Sequence, residues 1–222
     1  MPFFYSLCNL TMKGLLLLLS DWEVEGRENV PRSGPLIVVA NHLNLPDPPL
    51  LTASIPRRII FMAKEELFRS RGGPFVRWFG AFPVRRGELD REAIRQAMKV
   101  LDAGLALGMF PEGRRSPNSQ LIPAEPGTAL IALRSRAPIL PVGISGTEKV
   151  RDLGILRQRP RIRVNIGQPF TLPFEGRPTR EKLSQATELI MRRIAELLPP
   201  EYRGVYGNAN LSGQGDGVLL RS

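Results

Sequence analysis

Short apolar runs alternate with amphipathic segments along most of this chain, and this alternation restricts the possible folds more than any other feature. Short apolar runs, some rich in β-branched residues, are typical of buried strands, and alternation of apolar with polar residues is typical of a strand buried on one face. These segments occur at 35–40 (PLIVVA), 58–64 (RIIFMAK), 81–84 (AFPV), 105–110 (LALGMF), 138–144 (PILPVGI) and 161–170 (RIRVNIGQPF). We therefore predict six strands.

Three further stretches have the periodicity of amphipathic helices. Asp90 is a suitable N-cap for the first helix, and Pro126 lies near the start of the second. Thr179 begins a third helix, which is predicted to end near Leu198. Strands that alternate with helices predict a single α/β domain, with a central mostly parallel or mixed sheet flanked by helices.

The domain limits are predicted from the two ends of the chain. Residues 21–200 carry the predicted strands and helices and form the domain. Residues 201–222 are rich in glycine, asparagine and serine and are predicted to be a loose tail.

Residues 1–20 form the most apolar long segment of the sequence. Lys13 interrupts this segment, and the uninterrupted apolar part is far shorter than the ~20 residues that a membrane-spanning helix needs. Two alternatives remain open. The segment is either a helix buried against the domain, or an amphipathic helix in the membrane interface with Phe3, Phe4, Tyr5 and the leucines directed toward lipid.

The chain is strongly basic, with a formal net charge of +10, and nearly all of its basic residues are arginine. Arginine binds phosphates and carboxylates with a planar fork, so nucleic acid, anionic lipid and phosphorylated metabolites all suit this charge. One cysteine and one histidine exclude an intrachain disulfide and a structural zinc site built from these residues.

The single histidine, His42, follows the apolar run LIVVA and precedes Asp47 by five residues. A carboxylate that holds a histidine fixes its tautomer and stabilises the imidazolium formed on proton uptake, as a general base requires. This spacing does not align two side chains on a regular helix. Pro46 and Pro48 favour a turn that would bring the two together. The alternative is a loop histidine that is bound by backbone groups.

Two other strand ends carry charged loops. FPEGRRS at 110–116 contains Glu112, Arg114 and Arg115, and GAFPVRRG at 80–87 contains Arg85 and Arg86. Loops at strand ends hold the chemistry in many α/β domains, so these arginines are candidate phosphate ligands beside the candidate base.

These stretches together resemble the glycerolipid acyltransferase family, which includes the 1-acyl-sn-glycerol-3-phosphate acyltransferases. NHLNLPD is similar to the N-H-x-x-x-x-D motif, GAFPVRRG to the second block, FPEGRRS to the third, usually F-P-E-G-T-R-S, and APILPVGISGT to the fourth. FMAKEELF is similar to a segment that commonly carries a lysine, here Lys64. The blocks occur in the family order and cover roughly residues 20–170.

The resemblance implies that a fatty acyl group passes from the thioester of acyl-CoA or acyl carrier protein to the free hydroxyl of lysophosphatidic acid. The product is phosphatidic acid, an intermediate of phospholipid biosynthesis. His42 would take the proton of the acceptor hydroxyl, and Asp47 would orient and support His42. The family uses direct attack, without an acyl-enzyme, a metal or another cofactor.

The resemblance also implies the residues that bind the acceptor. Arg85, with Lys64, would bind the acceptor phosphate. Glu112 and Gly113 would shape the acceptor site, and Arg115 would add positive charge to it. Because acceptor and product are lipids, we expect residues 1–20 to be the interfacial helix. We also expect peripheral or monotopic association with the cytoplasmic face of a membrane, and no nucleic acid partner.

Two positions depart from the family pattern. Arg114 replaces the threonine of the third block, and Glu125 stands where a basic residue is common. Arg114 could supply the positive charge that position 125 lacks, or Glu125 could pair with Arg114 or Arg115 and hold the loop. The first alternative keeps a phosphate acceptor, and the second leaves room for a different head group.

Competing classes have weaker support. GISGTE does not have the G-x-S-x-G pattern of a nucleophile elbow, and the histidine would precede the serine, against the usual hydrolase order. No nucleic-acid recognition motif is visible, and aromatic residues are only 7%. Acylation of a different lysolipid or hydroxyl acceptor and a non-catalytic basic lipid-binding module are the remaining alternatives.

Overall fold

The computed structural model describes residues 2–70, 72–78, 80–85, 90–150, 159–174 and 176–207. Within these ranges seven strands form one mixed sheet in the order β1-β7-β6-β2-β5-β3-β4. The strands are β1 (Asp21–Glu25), β2 (Leu36–Ala40), β3 (Ile59–Lys64), β4 (Phe82–Val84), β5 (Ala106–Met109), β6 (Ile139–Ser145) and β7 (Arg161–Ile166). The prediction of a single α/β domain is confirmed.

The strand directions bring most of the candidate residues to one edge of the sheet. The five neighbouring strands from β6 to β4 run parallel to one another, so their carboxyl ends share an edge. β7 is antiparallel to β6 and parallel to β1. All six predicted apolar runs contain a strand. The sequence analysis misses β1, whose sequence DWEVE alternates with charged residues because it is an edge strand paired only with β7.

Helices flank the sheet within the described part of the chain. They are α1 (Pro2–Leu19), α2 (Asp47–Ser54), α3 (Glu65–Arg69), α4 (Gly73–Trp78), α5 (Arg91–Asp102), α6 (Gly127–Ser135) and α7 (Arg180–Ala195). Short 3₁₀ turns cover Arg27–Asn29, Thr147–Lys149, Pro200–Tyr202 and Gly204–Tyr206.

The predicted helix starts are confirmed by their caps. The Asp90 carboxylate accepts hydrogen bonds from the backbone N–H groups of Glu92 and Ala93, both at 3.1 Å, where α5 begins. The Thr179 hydroxyl accepts from the N–H of Lys182 at the start of α7. The third helix ends at Ala195, three residues before the predicted end.

Two hydrophobic clusters pack on opposite faces of the sheet, and β2 contributes to both. Ile37 and Val39 pack in the cluster that contains α5, α6 and α7 side chains. Leu36, Val38 and Ala40 pack in the cluster that contains α2. Because every residue of β2 is buried, the backbone that leads into His42 is fixed on both sides.

The N-terminal segment is helical, and it combines features of both predicted alternatives. Tyr5 faces the domain and is only 7% exposed, and its hydroxyl accepts a hydrogen bond from the N–H of Ile59. The expectation that Tyr5 is directed toward lipid is therefore wrong, because this ring covers the start of β3. The exposed leucines of α1 lie elsewhere on its surface, at Leu7, Leu10, Leu15, Leu17 and Leu18. No helix in the described ranges is both long and apolar enough to span a membrane.

Candidate active site

The carboxyl edge of the parallel strands carries the candidate site. His42 follows β2, the strand that lies between β5 and β6. The loop after β5 supplies Phe110 and Glu112, and the turn after β6 supplies Thr147. The central strand therefore receives partners from both of its neighbours.

His42 and Asp47 are in direct contact. His42 Nδ1 lies 2.8 Å from Asp47 Oδ2, and the Asp47 side chain is fully buried. Asp47 is the first residue of α2, and Pro46 before it has helical backbone angles. The chain thus turns sharply after Asn44 and directs the Asp47 carboxyl back toward the end of β2. The turn therefore brings together two side chains whose five-residue spacing would keep them apart on a regular helix.

The Asp47 carboxyl is surrounded by hydrogen-bond donors. Oδ2 accepts from the backbone N–H groups of Leu43 and Asn44, both at 2.7 Å, in addition to its contact with His42. Oδ1 accepts from the Thr147 hydroxyl at 2.7 Å. Because these other partners donate, Asp47 is the acceptor in the dyad and His42 Nδ1 carries the hydrogen. The lone pair of His42 Nε2 is then free to accept a proton.

The backbone of His42 is held at both of its polar groups. Its N–H donates to Glu112 Oε1 at 2.9 Å, and its carbonyl accepts from the N–H of Ser116 at 2.8 Å. The preceding residue, Asn41, bonds both polar groups of Ile144 on β6, at 2.7 and 2.8 Å. These bonds fix the backbone from which the imidazole extends, independently of the contacts of the ring.

An aromatic stack supports the imidazole ring. The His42 ring lies on Phe110 with centroids 4.3 Å apart, and Phe61 stacks behind Phe110 at 6.1 Å. Gly108 makes this possible, because a Cβ at that position would lie 2.4 Å from the Phe61 ring. The stack covers one face of the imidazole and leaves the His42 side chain only 11% exposed.

Glu112 is a buried carboxyl beneath the site. Its Oε2 accepts from the backbone N–H of Ile122 at 3.1 Å, while Oε1 holds His42. Burial raises the pKa of Glu112 to about 7. The two N–H donors and Arg114 oppose this rise, and the nearby Asp47 adds to it. Sequence reasoning identifies Glu112 but not this contact with the His42 backbone.

The basic candidates lie at the same edge, but not in contact with the dyad. Lys64 ends β3 and Arg85 follows β4, so they lie two and three strands from β2, roughly 10 and 14 Å along the sheet. Lys64 Nζ is 3.1 Å from Glu66 Oε1, and Arg85 Nε is 3.6 Å from Asp90 Oδ2. Both side chains are about half exposed or more and are thus accessible to a ligand.

The two residues that depart from the family pattern are exposed, as is the neighbouring Arg115. Arg114, Arg115 and Glu125 all have exposed side chains, and no ion pair within the described part of the chain joins them. The N–H of Glu125 donates to the carbonyl of Pro111 at 2.9 Å, so position 125 does lie beside the third block. Gly113 has φ +67°, and a Cβ there would lie 3.2 Å from Glu125 Cγ.

Sequence reasoning misses Thr147, Phe110 and Ser116 as parts of the site. Their roles depend on contacts between strands that are distant in sequence. One available signal is that Thr147 ends the fourth block, GISGT, two residues after the end of β6. A hydroxyl at the carboxyl end of a strand beside β2 is a natural partner for the second carboxylate oxygen of Asp47.

A histidine held by a buried carboxylate at the carboxyl edge of an α/β sheet is an arrangement that can support general-base catalysis, and so it points to the class of enzymes. Comparison with known proteins gives the particular family, since the model of the family described as Acyltransferase matches residues 21–145. The chain belongs to this family and is an O-acyltransferase.

Individual relatives agree with the family match. The chain is 31% identical to the 1-acyl-sn-glycerol-3-phosphate acyltransferase of Bacillus subtilis, over 87% of this chain and 96% of that protein. The protein of the same name from Saccharomyces cerevisiae is 34% identical, over 82% of this chain and 61% of that protein. The crystal structure of the 1-acyl-sn-glycerophosphate (LPA) acyltransferase from Thermotoga maritima superposes with a TM-score of 0.68. It is 30% identical, over 87% of this chain and 79% of that chain.

Proposed function

We propose that this enzyme transfers a fatty acyl group from a thioester to the free hydroxyl of lysophosphatidic acid, giving phosphatidic acid for phospholipid biosynthesis. The observation that carries the proposal is the 2.8 Å contact between His42 Nδ1 and Asp47 Oδ2 at the carboxyl edge of the sheet. The names of the Bacillus subtilis, Saccharomyces cerevisiae and Thermotoga maritima proteins support the choice of acceptor.

The chemistry follows from the orientation of the imidazole. His42 Nε2 takes the proton from the acceptor hydroxyl as its oxygen attacks the thioester carbonyl carbon. The tetrahedral intermediate collapses, the carbon–sulfur bond breaks, and the imidazolium returns the proton to the thiolate. Asp47 stabilises the imidazolium between these steps, and the products are an ester and a free thiol. The proposal assigns no metal and no other cofactor to the reaction.

The acceptor phosphate is bound by Arg85, with Lys64. Both cations lie at the edge that carries His42, and an arginine fork can bind two phosphate oxygens at once. Glu112 and Gly113 shape the acceptor site through the loop after β5, and Arg115 adds positive charge from the exposed side of that loop. The donor in this proposal is acyl-CoA or acyl carrier protein.

The enzyme is proposed to work as a peripheral or monotopic protein on the cytoplasmic face of a membrane. The exposed leucines of α1 supply an apolar surface that can enter the interface. The net charge of +10 favours anionic lipid, at roughly 1 kcal/mol for each basic side chain close to the surface.

The test is thiol release and phosphatidic acid formation by the purified chain in mixed micelles of lysophosphatidic acid, with acyl-CoA and acyl carrier protein thioesters compared. His42→Ala should lower turnover by about 10²–10⁴-fold, as loss of a general base does, with an unchanged circular dichroism spectrum. A folded His42→Ala variant with wild-type turnover would exclude His42 as the base. A panel of other lysolipids identifies a different acceptor, and micelle binding without thiol release by the wild type would identify a lipid-binding module.

A further inference from the structure

A segment near the C-terminus contacts the site from outside the part of the chain that the family model matches. Residues 200–206, here named the C-terminal strap, form two consecutive 3₁₀ turns. The carbonyl of Tyr202 accepts from the N–H of Leu121 at 2.8 Å, and the N–H of Val205 donates to the carbonyl of Leu121 at 3.3 Å. Leu121 itself is 2% exposed, so the strap holds a buried residue from both sides.

Gly204 permits this close approach. Its φ is +49°, and a Cβ at this position would lie 2.1 Å from the carbonyl oxygen of Leu121. A side chain at position 204 would therefore push the strap away from the loop that carries Leu121.

The first route from the strap to the dyad runs through Glu112. Leu121 is followed by Ile122, whose N–H donates to Glu112 Oε2. The other oxygen of the same carboxyl accepts from the N–H of His42. Movement of the 121–122 backbone would thus shift a carboxyl that holds the backbone of His42.

The second route runs through Glu148. The Tyr202 hydroxyl donates to Glu148 Oε1 at 2.7 Å, and Glu148 Oε2 is buried without a partner among the described residues. Burial and the Glu148 carboxyl raise the pKa of Tyr202, so the hydroxyl keeps its proton and remains a donor. Glu148 directly follows Thr147, the residue that donates to Asp47 Oδ1. Loss of the tyrosine hydroxyl would leave both Glu148 oxygens unpartnered and loosen this turn.

We propose that the C-terminal strap positions the His42–Asp47 dyad, with Tyr202 and Gly204 as the positioning residues. The strap joins the loop after β5, which holds His42, to the turn after β6, which holds Asp47. The Tyr202 ring also packs against both hydrophobic clusters, so it fixes the two loops relative to the core. The inference rests on the proposed role of the dyad as the general base.

The single histidine gives a direct measurement that does not depend on activity. Protein prepared without a polyhistidine tag and labelled with ¹⁵N-histidine yields signals from His42 alone, and these report which ring nitrogen carries the hydrogen. The wild type should have the hydrogen on Nδ1. Tyr202→Phe should increase the population with the hydrogen on Nε2. It should also lower kcat by about 10-fold or more, with KM for thioester and acceptor within about twofold of wild type.

Two further variants and a control make the test specific. Gly204→Ala acts on the other contact of the strap and should change kcat and the histidine signals in the same direction. Glu148→Ala should reproduce the effect of Tyr202→Phe, and the double variant should lose little more, because both remove one interaction. Tyr5→Phe is the matched control, since it also removes a buried tyrosine hydroxyl. That hydroxyl accepts from the N–H of Ile59 at the start of β3, at the edge of the sheet opposite to the dyad.

Wild-type kcat and wild-type histidine signals in folded Tyr202→Phe and Gly204→Ala would overturn the proposal. An equal loss of kcat in Tyr5→Phe would also overturn it, because the effect would then be general destabilisation. The failure of the proposed function is a separate outcome. Retained turnover in His42→Ala would refute the base, whereas the histidine signals would still show whether the strap positions the ring.

Discussion

The backbone N–H of His42 donates to Glu112 Oε1 at 2.9 Å. A buried carboxyl from the loop after β5 therefore holds the backbone of the proposed base. The second oxygen of this carboxyl binds the N–H of Ile122. Glu112 therefore connects the loop after β2, which contains His42, to the segment that contains Ile122. This structural role is separate from its proposed role in the acceptor site. Its burial also makes it a group whose protonation is linked to stability.

Glu112 should make the protein less stable as the pH rises from about 4.5 to about 7. Its pKa is raised in the folded protein, so the folded state holds a proton in this window that the unfolded chain releases. The stabilisation is fully present below about pH 4.5 and is lost as the pH passes about 7, and it amounts to on the order of 3 kcal/mol. Urea unfolding of the wild type and of Glu112→Gln across this range measures the difference.

Glu112→Gln removes the titration, and it also turns an amide donor toward one of the two backbone N–H groups. At acidic pH we therefore expect the free energy of unfolding of Glu112→Gln to be about 1–3 kcal/mol lower than that of the wild type. Toward neutral pH the difference between the two proteins should shrink, because only the wild type loses stability there. Parallel pH dependences in the two proteins would contradict the assignment of a raised pKa to Glu112.

Asp47→Asn should slow turnover by on the order of 10²-fold or more while the protein remains folded. The asparagine has no charge to stabilise the imidazolium, and its amide group cannot accept from all of the donors that surround Asp47. Asp102→Asn is the matched control, because Asp102 is exposed at the end of α5. Normal turnover in Asp47→Asn would refute the dyad and leave His42 acting alone.

Arg85→Ala should raise the KM for lysophosphatidic acid by about 10-fold, because a charge-assisted hydrogen bond to phosphate is lost. The KM for the thioester should change little. Arg95→Ala is the control, since Arg95 is also exposed but lies on α5, where it pairs with Glu92. An equal rise in both KM values would show that Arg85 supports the loop through Asp90 instead of binding phosphate.

Much of this architecture could be predicted from local sequence. The strands β2, β5 and β6 are buried throughout, so each needs a continuous apolar run, and β7 is buried on alternate residues, so its sequence alternates. Asp90 and Thr179 mark helix starts because their side chains accept free N–H groups. The edge strand β1 could not be predicted in this way, since its side chains are only partly buried.

The site was predictable only where its partners are close in sequence. Pro46 and Pro48 indicate the turn that brings Asp47 to His42, so this contact could be predicted. Thr147 reaches Asp47 from a hundred residues away, through strand pairing that periodicity does not reveal. Tyr5 was misassigned for a similar reason, because an apolar helix has the same composition whether its aromatic ring covers β3 or enters lipid.

Changing Leu10, Leu17 and Leu18 together to serine should weaken sedimentation of the protein with anionic vesicles. These three side chains of α1 are more than 60% exposed, so their loss should cost little in folding. Removal of residues 1–20 should also weaken binding, but it deletes the buried contacts of Tyr5 as well. Leu105→Ser is the control, because it removes an exposed leucine that lies outside α1, directly before β5. Unchanged vesicle binding by the folded triple variant would refute the interfacial role of α1.

Arg114→Thr tests whether positive charge has been redistributed in the third block. Arg114 is exposed and lacks an ion-pair partner within the described ranges, and Glu125 lies beside the same loop. An arginine that is not neutralised by Glu125 remains available to a phosphate, which favours the redistribution alternative. The substitution should therefore raise the KM for lysophosphatidic acid by about 3–10-fold, since one charge-assisted contact is lost.

Restoring a cation at position 125 should reverse this effect. The double variant Arg114→Thr with Glu125→Lys should return the KM for lysophosphatidic acid toward the wild-type value, because the charge is regained on the neighbouring side of the loop. Arg134→Thr, at an exposed position on α6, controls for the loss of one positive charge from the whole protein. If Arg114→Thr leaves acceptor kinetics unchanged, Arg114 supports the loop without contacting the phosphate, and the lysolipid panel then decides which head group the site accepts.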